Sequence, residues 1–311
     1  MKNTICILGT ITLLLTSCSK SDSAPEKVYE LAKQELDIPY GNDPLQKMDI
    51  YFPEGYDQSS PVVFLIHGGG FIAGTKEDFT PVAKLFVAKG FVAVNLSHRL
   101  VDAAGLDQQP PLHQSSVVKV TDQVDDMALA VEKFQNSADN WGLGTAKMYM
   151  AGHSAGGTLA MLYVQGKRNK SVRASGNLAG LTNITLTEEL YNNPPDHEHW
   201  PAVKELLYRM SGQEVTQDKA LALMAISPNW VSNHNKPGKP NITVMAKSND
   251  EDLQFSPYYN TVKDAENYDN ELRSYGTQSS YIVMDTDHGF GNHEDDWEKA
   301  VTSTVDFFKK N

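Results

Sequence analysis

Cysteine is nearly absent from this chain of 311 residues, which contains only Cys6 and Cys18. Both lie among the first eighteen residues, so no disulfide can cross-link the sequence that follows. A chain of this length buries enough apolar surface to fold without such cross-links. We therefore expect a hydrophobic core, rather than a disulfide framework or a bound metal, to stabilise the protein.

Basic residues are also scarce relative to acids. The chain has 27 Lys and Arg against 39 Asp and Glu, which gives a formal net charge of −12. An excess of negative charge disfavours nucleic acid and anionic membrane surfaces as partners. The hydrophobic share of 40% and the charged share of 21% fall in the range of ordinary globular proteins.

A long apolar run is missing as well, and the nearest approach to one stands at the N-terminus. The stretch from Ile5 to Leu15 follows Lys2; it is too short to span a bilayer comfortably and fits a signal peptide. It ends in Leu15-Thr16-Ser17-Cys18, which resembles the lipobox of bacterial lipoproteins, although an ordinary cleavage site beside a chance cysteine is the alternative. The resemblance implies a signal peptide over residues 1–17, a lipidated Cys18 and a flexible tether over residues 18–27. We expect an exported protein of the cell envelope, attached to the membrane by this lipid anchor alone.

Short β-rich runs alternate with longer helical patterns from about Val28 onward. This alternation is typical of a mostly parallel sheet flanked by helices, so the sequence predicts an α/β fold in one domain over residues 28–311. The predicted strands cover 47–52, 62–66, 91–95, 148–151, 174–178 (the weakest), 242–246 and 281–284, and the main predicted helices cover 78–89, 122–141 and 295–310. Between residues 182 and 240 the pattern loosens into short helical segments and loops. We expect that insertion to lie over the carboxyl edge of the sheet, where ligands bind in such folds.

Two glycine-rich motifs follow the two most apolar predicted strands. Gly152-His153-Ser154-Ala155-Gly156 fits G-x-S-x-G and stands between a strand and a helical pattern, the context that a nucleophile elbow requires. His67-Gly68-Gly69-Gly70 matches the loop that offers backbone N–H groups to a developing oxyanion. The sequence predicts Ser154 as a nucleophile, the N–H groups of Gly69 or Gly70 and of Ala155 as oxyanion donors, and His67 as a support for the loop.

The other members of a catalytic triad are expected after the last two strands. His288 follows the final strand and is the predicted base. The preceding strand is followed by Asp250, Glu251 and Asp252, and any of the three could be the acid of the triad. Related hydrolases usually carry an aliphatic residue three positions after the acid, which favours Asp250 because Leu253 follows it. The order Ser, Asp, His agrees with this type of fold.

Together these segments resemble the esterase branch of the α/β-hydrolases, and more closely the bifunctional feruloyl and acetyl-xylan esterase-like family, near the hormone-sensitive-lipase-like carboxylesterases. The resemblance runs from about Leu45 to the end of the chain and includes Ser227-Pro228 and Asp287-His288-Gly289-Phe290. This sequence differs from the family pattern at Ser97-His98-Arg99, where relatives usually carry Tyr before the Arg, and in its long insertion between residues 182 and 240. It implies hydrolysis of small carboxylic esters, such as acetyl or feruloyl groups on polysaccharide, without a cofactor.

Two other kinds of protein share these motifs. One is an exported serine peptidase or amidase of the same fold, and the other is a catalytically inactive binding relative. A kynurenine-formamidase-like amidase is a further rival, which the expected export to the cell envelope disfavours. The complete set of candidate triad residues favours an enzyme. Asp196-His197-Glu198-His199 contains metal-ligating residue types, but a solvated loop is favoured because no further ligands stand at a known spacing. We expect no metal, no cofactor and no nucleic-acid partner, and the sequence leaves the oligomeric state open.

Overall fold

An eight-stranded sheet forms the centre of the computed structural model, which describes residues 27–185, 192, 198–216, 221–249 and 261–311. The strand order is β1-β2-β4-β3-β5-β6-β7-β8. The β1–β2 and β2–β4 pairs are antiparallel, and the five remaining pairs are parallel. The predicted α/β fold with a mostly parallel sheet is confirmed. The strands are β1 (Leu31–Pro39), β2 (Lys47–Pro53), β3 (Val62–Ile66), β4 (Val92–Leu96), β5 (Met148–His153), β6 (Ser175–Leu178), β7 (Asn241–Ala246) and β8 (Ser279–Met284).

Helices connect the parallel strands and cover both faces of the sheet. They are α1 (Lys76–Ala88), α2 (Val120–Ser137) with a short 3-10 helix (Ala138–Trp141), α3 (Ala155–Gln165), α4 (Trp200–Ser211), α5 (Leu221–Met224), α6 (Pro228–His234), α7 (Thr261–Ser274) and α8 (Asp296–Lys310). One core cluster packs α2, α3 and α4 against one side of the sheet, and a second packs α1 and α8 against the other. Among the described residues, no helix combines the length and the apolar character that crossing a membrane requires.

The central strands explain how distant motifs meet. All five residues of β3 are buried, as its uninterrupted apolar sequence predicts for a parallel strand covered on both faces. β3 pairs in parallel with β5, and Ile66 lies opposite Gly152 in the register. His67 and Ser154 therefore leave the sheet side by side at its carboxyl edge.

The described part of the insertion packs onto the rest of the fold through a buried cation. Arg209 of α4 is fully buried and its Nε donates to Glu205 at 2.7 Å. Its Nη1 donates to the backbone oxygens of Asp102 and Ala104, both at 2.9 Å, and its Nη2 donates to that of Leu112. A buried charge needs such partners, so this network fixes α4 against the loop between β4 and α2.

Three elements were not predicted from the sequence. β1 is an edge strand whose residues are mostly exposed, so it lacks the apolar pattern of a buried strand. α7 carries only a narrow buried stripe that includes Ala265, Tyr268 and Leu272, and α6 has seven residues and begins at a proline. The weak run at 174–178 does form a strand, β6, in which all four residues are buried.

Candidate active site

Ser154 occupies the sharp turn between β5 and α3. Its φ is 53° and its ψ is −124°, a backbone conformation that side-chain-bearing residues rarely adopt. The neighbouring glycines allow this turn, because a Cβ on Gly156 would collide with the backbone oxygens of Ile66 and His67, and one on Gly152 with the backbone of Gly156. The Ser154 N–H donates to the Leu178 oxygen at 2.8 Å, which ties the turn to β6.

His288 contacts the Ser154 hydroxyl. Its Nε2 lies 3.0 Å from Ser154 Oγ, and its Nδ1 lies 2.5 Å from Asn249 Oδ1. The amide of Asn249 is oriented by its nitrogen, which donates to Thr261 Oγ1 at 2.5 Å. An amide oxygen can only accept a hydrogen bond, so His288 carries its proton on Nδ1 and presents the Nε2 lone pair to the serine.

Asn249 is a contact that the sequence analysis did not identify. It directly precedes Asp250, and the only signal for it is its position after β7. Asp250, Glu251 and Asp252 lie outside the described residues, so the choice of acid among them stays a prediction. The structure thus brings two of the three predicted triad members together and adds an amide at the imidazole.

The glycine loop after β3 lies beside the serine. Gly69 and Gly70 have φ values of 111° and 60°, which glycine adopts without strain. Both line the same cavity as Ser154, Ala155 and His288. Within the described part of the chain, the N–H groups of Gly69, Gly70 and Ala155 form no hydrogen bond to a backbone oxygen. These three predicted donors therefore remain available to a bound oxygen.

His153 supports the loop that carries His288. Its Nε2 donates to the His288 backbone oxygen at 2.8 Å, and its ring packs 5.3 Å from that of Trp297 and 6.0 Å from that of Phe290. Burial lowers the pKa of His153 to about 4, with a further contribution from the neighbouring His288 ring. His153 is thus a neutral hydrogen-bond donor near pH 7. His153 is the variable position of the G-x-S-x-G motif, so the motif alone gives it no role.

A cavity of about 350 Å³ opens in front of Ser154. Apart from the residues around the serine, its wall is apolar and is formed by Leu181, Ile184, Leu206, Leu207 and Met210. The last three belong to α4, so the insertion does lie over the carboxyl edge in its described part. No Asp, Glu, Lys or Arg lines this cavity among the described residues, so it suits an uncharged group.

Two stacked histidines lie beneath the glycine loop. The rings of His67 and His98 are parallel to within 4°, with centroids 4.5 Å apart. His67 Nδ1 lies 2.7 Å from the Gly68 oxygen and His98 Nδ1 lies 2.9 Å from the Arg99 oxygen. Burial lowers the pKa of both, to about 3 for His98, where the His67 ring also contributes. His67 supports the loop through its contact with the Gly68 oxygen, and His98 packs on its ring.

In the part of the chain that the structure describes, there is no candidate metal site. Among those residues, no three His, Cys, Asp or Glu side chains are arranged so that they could hold a metal ion. Asp196 and His197 of the weak metal motif lie outside the described residues, and Glu198 and His199 lead into α4.

The sheet order and a serine on the turn after β5 define the class of this protein, the α/β-hydrolases. The BD-FAE family model matches residues 48–237, which is more than half of the chain. The chain therefore belongs to the BD-FAE family and is a carboxylic ester hydrolase.

Individual relatives agree with this class at low sequence identity. A kynurenine formamidase from Danio rerio is 24% identical over 272 residues, which cover 86% of this chain and 78% of the relative. A truncated carbohydrate esterase from gut microbiota superposes with a TM-score of 0.67 at 14% identity, covering 92% of this chain and 97% of its own. Esterase B from Lactobacillus rhamnosis, inhibited by a tributyrin phosphonate, superposes with a TM-score of 0.65 at 16% identity over 92% and 88% of the two chains. At these identities the solved structures show a shared fold.

The low pKa of His98 predicts that acid destabilises the protein. Unfolding returns the imidazole to water, so between about pH 6.5 and about pH 3 the unfolded chain binds a proton that the folded chain does not. The free energy of unfolding should therefore fall as the pH decreases, by about 2 kcal/mol between pH 7.5 and pH 5 from this one group. His98→Phe keeps a flat ring against His67 but cannot be protonated, and urea denaturation at the two pH values should show a smaller loss.

As a control, His234→Phe replaces an exposed histidine, and its free energy of unfolding is measured by the same urea denaturation at the two pH values. An equal loss of stability in wild type and His98→Phe would contradict the assignment of this acid sensitivity to the buried pair.

Proposed function

We propose that this chain hydrolyses small, uncharged carboxylic esters through a covalent acyl-enzyme on Ser154. The observation that carries the proposal is the 3.0 Å contact between Ser154 Oγ and His288 Nε2, with Nδ1 of the same imidazole held against an acceptor. This geometry allows the imidazole to remove the hydroxyl proton as the serine oxygen attacks an ester carbonyl. A distance of this size is the one that proton transfer requires.

The reaction then proceeds in two steps. Attack by Ser154 forms a bond to the acyl carbon, and the negative charge on the carbonyl oxygen is stabilised by the N–H groups of Gly69, Gly70 and Ala155. The protonated His288 gives its proton to the departing alcohol oxygen as the ester bond breaks. Water then attacks the acyl carbon while His288 accepts one of its protons. The protonated His288 gives that proton to Ser154 Oγ as the bond between this oxygen and the acyl carbon breaks, which releases the carboxylic acid and regenerates both side chains.

The apolar wall in front of the serine indicates which side of the ester it contacts. Leu181, Leu206 and Met210 offer no hydrogen bond to a sugar or to a charged side chain, so we place the acyl group against them and the alcohol toward solvent. Acetyl or feruloyl groups on polysaccharide satisfy this arrangement, since the bulky carbohydrate is then the leaving alcohol. A fold shared with a carbohydrate esterase supports the same assignment.

An amidase is the second candidate, because the 24% identity to a kynurenine formamidase extends over most of both chains. The same serine and histidine serve either reaction, and only the leaving group differs. Rates on an aryl ester and on the matching aryl formamide separate the two: the proposal requires the ester to be the better substrate by kcat/KM, and the opposite ranking assigns the chain to amide hydrolysis.

We also propose that Cys18 carries a lipid that holds the protein at the cell envelope of a bacterium. The support is Leu15-Thr16-Ser17-Cys18 after an apolar leader. Mass spectrometry of the N-terminal peptide, from protein made with its leader in a bacterial host, should find a chain that begins at an acylated Cys18. An N-terminus elsewhere, or an unmodified thiol at this residue, would contradict the anchor.

Removing the Ser154 hydroxyl should abolish turnover. Ser154→Ala leaves the turn and its glycines intact, so we expect a folded protein whose kcat on p-nitrophenyl butyrate is lower by about 10³-fold or more. Ser303→Ala, which removes an exposed serine hydroxyl on α8, is the matched control and should keep the wild-type rate. Substantial turnover by pure Ser154→Ala would contradict the proposal.

The acid of the triad can be identified by three amide or truncation variants. We expect Asp250→Asn to lower kcat by about 10⁴-fold, since the charge that stabilises the imidazolium is lost and the wrong tautomer is favoured. Asp252→Asn should keep most activity. Asn249→Ala removes the oxygen that contacts His288 Nδ1 and should have an intermediate effect, because a carboxylate would still hold the ring.

Steady-state kinetics on these variants decide among three assignments. The reverse ranking of the two aspartates transfers the role to Asp252. A severe loss in Asn249→Ala with near-normal Asp250→Asn would make the asparagine the third member.

A further inference from the structure

Positive charge is concentrated at the edge of the sheet opposite the active site. The connections that enter β3 to β8 from the preceding elements, together with the last turn of α8, contain Lys89, Lys147, Lys167, Arg168, Lys170, Arg173, Lys236, Lys239, Lys309 and Lys310. The acids at this edge include Glu54 and Asp57 of the same connections, Asp139 of the 3-10 helix, and Glu30, whose backbone oxygen accepts from the Glu54 N–H at 2.7 Å. We call this amino-edge surface the base. Cations outnumber acids on this surface, although the whole chain has a net charge of −12.

Most of these cations face solvent. All except Lys89 are exposed. Arg168 forms an ion pair with Asp125, and Lys89 lies 3.6 Å from Glu298. A hollow of about 430 Å³ in the base is lined by Lys89, Lys147, Arg173, Lys309 and Lys310, with no acidic side chain among its lining residues. The base is thus suited to several phosphate groups at once.

The chain enters the described structure at the same surface. The Tyr29 N–H donates to the Ala88 oxygen at 3.0 Å, and the Tyr29 ring covers Gly90, where a Cβ would lie 2.8 Å from Tyr29 Cε2. Tyr29 lines the basic hollow, and Lys27 lies 4.4 Å above its ring. Cys18 precedes Lys27 by nine residues, which can span at most about 30 Å.

We propose that the base is a docking surface for the anionic phosphate headgroups of the membrane to which Cys18 attaches the chain. A basic surface beside a lipid anchor supplies a second attachment signal, and each cation near an anionic bilayer adds to the binding. Under this proposal the base binds an anionic membrane surface, a partner that the net charge of the whole chain disfavours. Polyanionic polysaccharide is the competing occupant, and the entry of the tether at the base favours the membrane.

Docking by the base fixes the direction in which the active site faces. Strands of five or six residues separate the amino and carboxyl edges of the sheet by about 17–20 Å. Ser154 and the cavity at the carboxyl edge then open away from the bilayer. A large substrate such as a polysaccharide could reach them without contacting the lipid.

Sedimentation with vesicles tests the proposal on a chain that carries no lipid. The protein is residues 18–311 with Cys18→Ser, which keeps every described element, since these all lie within residues 27–311. Vesicles of phosphatidylcholine alone are compared with vesicles that contain a quarter phosphatidylglycerol, at low and high salt. We expect binding to the anionic vesicles at low salt, weak binding to the neutral ones, and release at high salt.

Charge reversal then locates the surface. The base variant Lys147→Glu, Lys170→Glu, Lys310→Glu should lower the vesicle partition coefficient by at least about tenfold. The control variant Lys247→Glu, Lys263→Glu, Lys299→Glu changes the net charge equally, at exposed lysines near the carboxyl edge, and should bind like the parent. Equal losses in both variants, or equal binding to neutral and anionic vesicles, would overturn the proposal.

Two further readouts separate this proposal from others. Binding to soluble polygalacturonate that exceeds binding to anionic vesicles would assign the base to a polysaccharide and overturn membrane docking. Hydrolysis of p-nitrophenyl butyrate by the base variant should equal that of its parent, because the reversed lysines lie at the far edge of the sheet. Vesicle binding needs no substrate, so a failure of the proposed esterase activity would leave this test unaffected.

Discussion

The chain turns sharply at Ser154, between β5 and α3, where φ is 53°. This backbone conformation costs a residue with a side chain of order 1–3 kcal/mol in strain. The turn persists because its surroundings leave no alternative. Gly156 packs against the backbone oxygens of Ile66 and His67 with no room for a Cβ. The parallel register of β3 and β5 places these two oxygens beside the turn. The position of the hydroxyl relative to the glycine loop is therefore set by the buried central strands β3 and β5.

The electrostatics of the carboxyl edge depend on the same burial. His67, His98 and His153 surround the loop and the turn, and burial lowers the pKa of each. They act near neutral pH as uncharged rings that stack and donate hydrogen bonds. His288 is the imidazole in contact with Ser154 Oγ, so the positive charge that develops in the proposed reaction falls on this ring. The cations of the base lie at the other edge of the sheet, away from Ser154.

Much of this arrangement could be predicted from the sequence, for identifiable reasons. The apolar runs of β3, β5 and β7 are long enough to be recognised because both faces of these strands are buried, and the motifs that follow them locate Ser154, Gly69, Gly70 and His288. β1 and α7 escaped prediction because one is exposed and the other is mostly polar. Asn249, His153 and the α4 side chains Leu206 and Met210 contact the site through tertiary packing, which no local pattern encodes. The stacking of His98 on His67 also arises from tertiary packing, because His67 follows β3 and His98 follows β4.

The central claim is that Ser154 is the nucleophile, and covalent trapping tests it most directly. A fluorophosphonate reacts with a serine only when a neighbouring base activates the hydroxyl, so the intact mass of the treated protein reports activation without any assumption about the natural ester. The account predicts one adduct per chain, located by peptide mapping on Ser154, and its absence in His288→Ala. A protein that remains unmodified, or an adduct that maps to another residue, would contradict it.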